Sequence, residues 1–328
     1  VIRFFSGYNP LNVIILFFLG ILMKLPGFLM PVLPHSDPTD GFLYIQILQS
    51  LKPAGEVFPS LYPILAYLLL FTQAVTLNGL INSEKLFPSQ NLLVAFAFLF
   101  ATSLLPEWNV LSPGLIINTV MVWAWPLMVG LYHNNNPKSN LFNLGFGFGI
   151  CSFIYFQSVY FLVLLIVALV IFRPFRLTEW IIAILGVLVP FYFLLVYFFV
   201  WDHWDQVYHI IPNHMISLPA VSYGWKFWVL FAIICIQFLP GIYMSSVFSQ
   251  RMVVHVRKSW SFMIFYLVVA VCLPFINSEK SLEPFIMSLV PISIFMAAFY
   301  FSLKKKLVGE LLIWLSFAWI AFNHFLVG

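Results

Sequence analysis

Between Asn12 and Val327 apolar runs follow one another with only short polar breaks. Such runs cannot face water, and a bilayer core about 30 Å thick takes each as a helix of about 20 residues. Hydrophobic residues make up 62% of the chain and charged residues 8%, where soluble domains carry about a quarter charged. The chain therefore reads as an all-α polytopic membrane protein, a single integral domain over residues 1–328 with no room for a sizeable soluble domain. Membrane lipids are the partners this composition requires.

The apolar stretches give about eleven transmembrane helices, near 11–31, 60–80, 91–105, 112–132, 141–156, 158–172, 179–200, 226–247, 260–276, 285–303 and 307–326. The first run lacks a small-x-small cleavage site and reads as a retained span. Loops rich in Lys and Arg stay cytoplasmic during insertion, which puts the N-terminus inside. Inner loops then hold eleven of these cations, among them Arg3, Lys85, Lys138, Arg173, Arg176 and Arg251, against Lys52, Lys226 and Lys280 outside. Eight acids fall outside, against Glu84, Glu179 and Glu310 inside. The formal charge of +4 thus follows from topology and calls for no nucleic-acid partner.

Residues 141–172 decide this arrangement. They number thirty-two, too many for one ordinary crossing and too few for two. A single crossing would move every later loop to the other side and put RMVVHVRK (251–258) outside, against the charge bias. Two short helices are predicted, with a turn near Gln157 and Ser158. Backbone that turns at membrane depth must be buried in protein or line a wet cavity, so an outward-open, water-filled hollow is expected beside Gln157.

The sequence HSDPTDGFLYIQILQSLK (35–52) marks an amphipathic helix in the first outer loop. Asp37 before Pro38 predicts an N-cap followed by the first helical residue, and Asp40 three positions on completes a capping-box-like pattern. Phe42, Ile45 and Leu48 supply its apolar face. Glu107, in LLPEWNVLSPG (104–114), is the only charge in the second outer loop, beside an interfacial Trp108. In WDHWDQVYHIIPNH (201–214), Asp205 and His209 share a helix face as two metal ligands would. Trp201, Trp204, Tyr208 and Ile211 share another, and an interfacial amphipathic segment is the reading preferred.

Lys24 is the formal charge inside a span. Such a charge costs roughly 2.5–3.5 kcal/mol on insertion scales, and it either snorkels outward or meets an anionic group at the cavity floor. Asn118, Gln73 and Gln237 are expected to bond between helices. Gly145, Gly147 and Gly149 allow close helix approach. Cys151, Cys235 and Cys272 stand alone, without the spacing of a metal or redox site.

DGFLYIQILQSLKPAGEVFPSLYPILAYLLL (40–70) resembles the first outer loop and second span of the GT-C superfamily of polyprenyl-phosphate-sugar-dependent glycosyltransferases, with Asp40 and Tyr44 on the first and last positions of its motif. Glu107 falls where such enzymes often carry a second acid. The resemblance covers about residues 10–200, leaving 226–326 as additional C-terminal helices. The whole chain also resembles an uncharacterised family of bacterial polytopic inner-membrane proteins. The GT-C likeness implies a base or metal-assisting carboxylate at Asp40, with Glu107 and Asp37 as further catalytic acids and a divalent cation as the one cofactor it allows. Tyr44, Lys24, Gln157 and Lys52 would contact a polyprenyl-phosphate sugar. Gly41 stands in place of the family's second acid, and no Arg lies outside. A non-catalytic scaffold or subunit, with membrane protein partners, is the alternative.

Overall fold

The computed structural model describes residues 1–34, 36, 40–132, 134–202, 224–276, 282–303 and 306–325. Its described residues are helical, joined by turns and short 3-10 segments, without strands. Seven helices are long and apolar enough to cross a membrane: Leu61–Ser83, Pro113–Tyr132, Leu177–Val200, Trp225–Ser249, Val254–Ile276, Glu283–Ser302 and Lys306–Asn323. The chain is a multi-pass membrane protein. Each of the seven falls on a predicted span, whereas the runs near 11–31, 91–105 and 141–172 form helices too short for that length.

The elements that matter to the site are α1 (Ile2–Phe5), α2 (Pro10–Met23), α3 (Leu25–Leu29), α4 (Phe42–Val57), α5 (Leu61–Ser83), α6 (Leu93–Ser103), α7 (Pro113–Val129), α8 (Lys138–Cys151), α9 (Leu162–Phe172) and α10 (Leu177–Val200). They are followed by α11 (Trp225–Ser249), α12 (Val254–Cys272), α13 (Leu289–Ser302) and α14 (Lys306–Phe325). A helix apolar on every side must be enclosed by other helices or by lipid. Every residue of α6 is buried, as is α13 from Leu289 to Tyr300, so these two form the centre. The expected interhelical bonds form around them. Gln73 donates to the Leu115 carbonyl at 2.9 Å and the Thr119 hydroxyl at 2.7 Å, and Asn118 donates to Gln73 at 3.3 Å. Gln237 donates to Ser316 at 3.2 Å and accepts from the Tyr300 hydroxyl.

Residues 141–172 are a broken hairpin. Fourteen residues of α8, at about 1.5 Å each, reach only roughly 21 Å. The chain then turns at 152–155, passes through a 3-10 segment at Phe156–Phe161 and returns along α9. The predicted turn near Gln157 thus lies a few residues earlier. Arg173, at the end of α9, donates to the carbonyls of Leu131 and Asn134 just ahead of α8, which brings the two ends of the hairpin together. The same guanidinium grips Glu179 at 2.7 and 3.2 Å, a buried bidentate pair at the start of α10. At this end His255 also lies 3.7 Å from Glu84.

Small residues set the α8–α10 contact. A Cβ on Gly145 would lie 2.3 Å from the Ala183 carbonyl oxygen, and one on Gly186 2.5 Å from that of Phe142. Gly147 has nothing within 4 Å and faces away, so only part of the glycine run serves the packing. Gly186→Val should force the helices apart at an overpacking cost of about 1–3 kcal/mol or more. Gly147→Ala should change stability by no more than about 1 kcal/mol. Melting temperatures of the two variants in detergent check this contrast.

Candidate functional site

At the end of the bundle away from Arg173, four loop segments are bound to one another. The first contact joins the start of α4 to the turn after α8. Asp40 pairs with Tyr155 in an isolated antiparallel bridge. The Gly41 amide donates to the Ile154 carbonyl and the Leu43 amide to the Phe153 carbonyl, both at 2.9 Å. Helix α4 begins at Phe42, with Gly41 at its N-cap and no side-chain cap. This corrects the expected start at Pro38 with Asp37 as the cap. The first-turn amides that a capping side chain would satisfy are served instead by carbonyls from the turn. Gly41 is needed there because a Cβ would lie 2.1 Å from the Phe153 oxygen. That contact explains why an acid cannot stand beside Asp40.

Tyr44 carries the connection onward. It is buried, and its hydroxyl donates to the Leu111 carbonyl at 2.9 Å. Leu111 lies in the loop between α6 and α7, whose 3-10 turn at Pro106–Asn109 holds Glu107 and Trp108. These neighbours grip both backbone groups of one residue. The Leu282 amide donates to Glu107 at 3.0 Å, and the Trp108 indole donates to the Leu282 carbonyl at 2.9 Å. Burial raises the Glu107 carboxyl above its ordinary value, and the Leu282 amide opposes this in part.

Lys24 joins the helix start α3 to the same loop. It is 3% exposed, so it does not snorkel. Its ammonium donates to Thr102 at 3.1 Å and to the Asn109 amide oxygen, and among the described residues it has no carboxylate partner. Lys52 differs in every respect: it faces solvent in an i,i+4 pair with Glu56 at 3.9 Å. It lines a hollow of about 630 Å³ between α4 and Leu33, Pro34 and Ser36.

Gln157 is fully buried, which overturns the open, water-filled hollow expected beside it. The Gly41 and Leu43 amides bond the carbonyls of the turn just ahead of it, at Ile154 and Phe153. Among the described residues, neither polar atom of the Gln157 side chain has a hydrogen-bond partner, nor does the Ser158 hydroxyl. The structure therefore ties Asp40, Tyr44, Glu107 and Lys24 into one connected set of loops, places Lys52 on the adjoining hollow, and buries Gln157 behind the turn. Asp37, together with Asp205 and His209, lies outside the described residues. Among the described residues, no cluster of three or more His, Cys, Asp or Glu is placed to hold a metal ion.

Thr102, Asn109 and Leu282 were not foreseen as members. Leu282 contributes only backbone, which leaves no trace in side-chain pattern, while Thr102 and Asn109 became recognisable only once Lys24 was placed. No family model matches this chain, and neither does any curated protein or solved structure.

Two measurements test these roles. Tyr44→Phe leaves a buried carbonyl without its donor and should cost about 1–3 kcal/mol. For Glu107, a raised carboxyl means that the folded state holds its proton after the unfolded state has lost it. Stability from this group should therefore fall as pH climbs from the ordinary glutamate value, about 4.3, through the raised one. Glu107→Gln keeps the bond from Leu282 and should flatten that slope in a melting-temperature profile.

Proposed function

We propose that this chain is a GT-C-like protein of the bacterial inner membrane that transfers a sugar from a polyprenyl-phosphate donor at the outer face. In this reading the N-terminus is cytoplasmic, and the shorter apolar helices complete about eleven passes with the seven long ones. Asp40 is the base. It takes the proton of an acceptor hydroxyl as that oxygen bonds to the anomeric carbon, while the bond from that carbon to the phosphate oxygen breaks and its electron pair leaves with the lipid phosphate. The observation that supports this most is the fixed backbone at Asp40, paired to Tyr155 at the head of an amphipathic helix whose later residues line the hollow at Lys52. A carboxylate on a fixed backbone is what proton transfer at a defined position requires.

A second reading, a non-catalytic scaffold or subunit of a membrane complex, is favoured by Glu107 and Tyr44. Both side chains are bonded to backbone groups of the protein itself, as staples would be. The readings part on one substitution. With protein levels held equal, Asp40→Asn should reduce transfer at least 100-fold, on the scale of a lost general base, and change the cell's glycan profile. An unchanged profile would eliminate the transferase reading, and stoichiometric co-purifying membrane proteins would then favour the scaffold.

A further inference from the structure

Lys24, which the GT-C likeness assigns to the lipid-linked donor, presents a chemical problem of its own. An ammonium group has three donors, and here two are given to the neutral oxygens of Thr102 and Asn109. Among the described residues no carboxylate balances its charge. A charge held inside a membrane bundle without an opposite partner marks a functional position by default. A cleft of about 190 Å³ opens between α3, the start of α5, the Pro106–Val110 loop and the end of α14; Lys24 is not part of its lining and meets it through Asn109. Asn109 belongs to both features, lining the cleft while accepting from Lys24. The remaining walls are mostly apolar, with Pro26, Met30, Val32, Pro63 and Val110 among them.

An occupant of this cleft must combine hydrocarbon for those walls with negative charge at the Asn109 end. A free anion would waste the apolar walls, and a neutral lipid would leave Lys24 unbalanced. We infer that the cleft is a binding site for an anionic membrane phospholipid, with the phosphate drawn to Asn109 and Lys24 and the chains laid along Met30, Val32 and Pro63. The site shares no lining residue with the hollow at Lys52, and Asn323 of α14 takes part in it. It stands whether or not Asp40 is a base.

The test uses the full chain, purified and delipidated in a neutral detergent. Dioctanoyl phosphatidate, dioctanoylglycerol and inorganic phosphate are titrated separately, with intrinsic tryptophan fluorescence as the readout. Phosphatidate should bind at least tenfold more tightly than either of the other two, and Lys24→Met should remove at least tenfold of that affinity. Val110→Trp, which fills the cleft and leaves Lys24 in place, should weaken phosphatidate as strongly, and it decides the matter if Lys24→Met fails to fold. Equal affinity in the variant that folds, or dioctanoylglycerol binding as tightly as phosphatidate, would overturn the inference. Inorganic phosphate binding as tightly as phosphatidate would overturn its lipid half. Loss of sugar transfer in Asp40→Asn with phosphatidate affinity intact would sustain it, since Asp40 lines no part of this cleft.

Discussion

Two sets of backbone groups that would otherwise lack partners meet at residues 40–43 and 153–154. The carbonyls belong to a turn that α8 makes before completing a crossing, and the amides belong to the first turn of α4. In hydrocarbon each unpaired group costs several kcal/mol. Bonding them to each other removes the need for water at the turn and for a capping side chain at the helix. The rest of this end of the bundle follows from the pairing. Once α4 is held by its N-terminus, Tyr44 lies against Leu111, and the loop ending at Leu111 carries Glu107 and Trp108 to Leu282.

The opposite end is organised by charge. Arg173 closes the α8–α9 hairpin through two carbonyls and a bidentate carboxylate, using the planar fork that suits guanidinium to such a role. Between the two ends the packing relies on shape. Gly145 and Gly186 let backbones touch where any side chain would intrude, and some buried polar side chains pair with one another, as Gln73 does with Asn118. Lys24 is a cation set among neutral oxygens beside an apolar cleft.

Much of this was legible in residues taken one stretch at a time. The break in 141–172 followed from comparing thirty-two residues with the thickness of a bilayer, and the seven long helices each lay on an apolar run. Interhelical partners for Gln73 and Gln237 followed from the cost of burying an amide alone. What escaped was long-range. The pattern around Asp37 and Pro38 describes a sound local cap, but α4 starts at Phe42 because its amides find carbonyls more than a hundred residues further along. The enclosure of Gln157, where an open hollow is expected, likewise depends on packing from distant parts of the chain. Whether Lys24 snorkels or stays inside depends on Thr102 and Asn109, which no local pattern joins to it. Composition alone does not separate a span from an enclosed helix in shorter apolar runs such as that of α6, because other helices and lipid select the same residues.

The pairing of the segment ahead of α4 with the broken hairpin can be measured directly by cross-linking. The free cysteines Cys151, Cys235 and Cys272 are replaced by Ala, and a single pair is introduced as Asp40→Cys with Tyr155→Cys. Directly opposed residues in an antiparallel bridge hold their Cβ atoms about 4.5–5.5 Å apart, close enough for a disulfide after small backbone movement. Mild oxidation in the membrane should link the two positions within one chain, seen as loss of both free thiols together with a reducible mobility shift. Two thiols that stay separately labelled in the folded protein would show that α4 is held elsewhere, and the account built on it would fall.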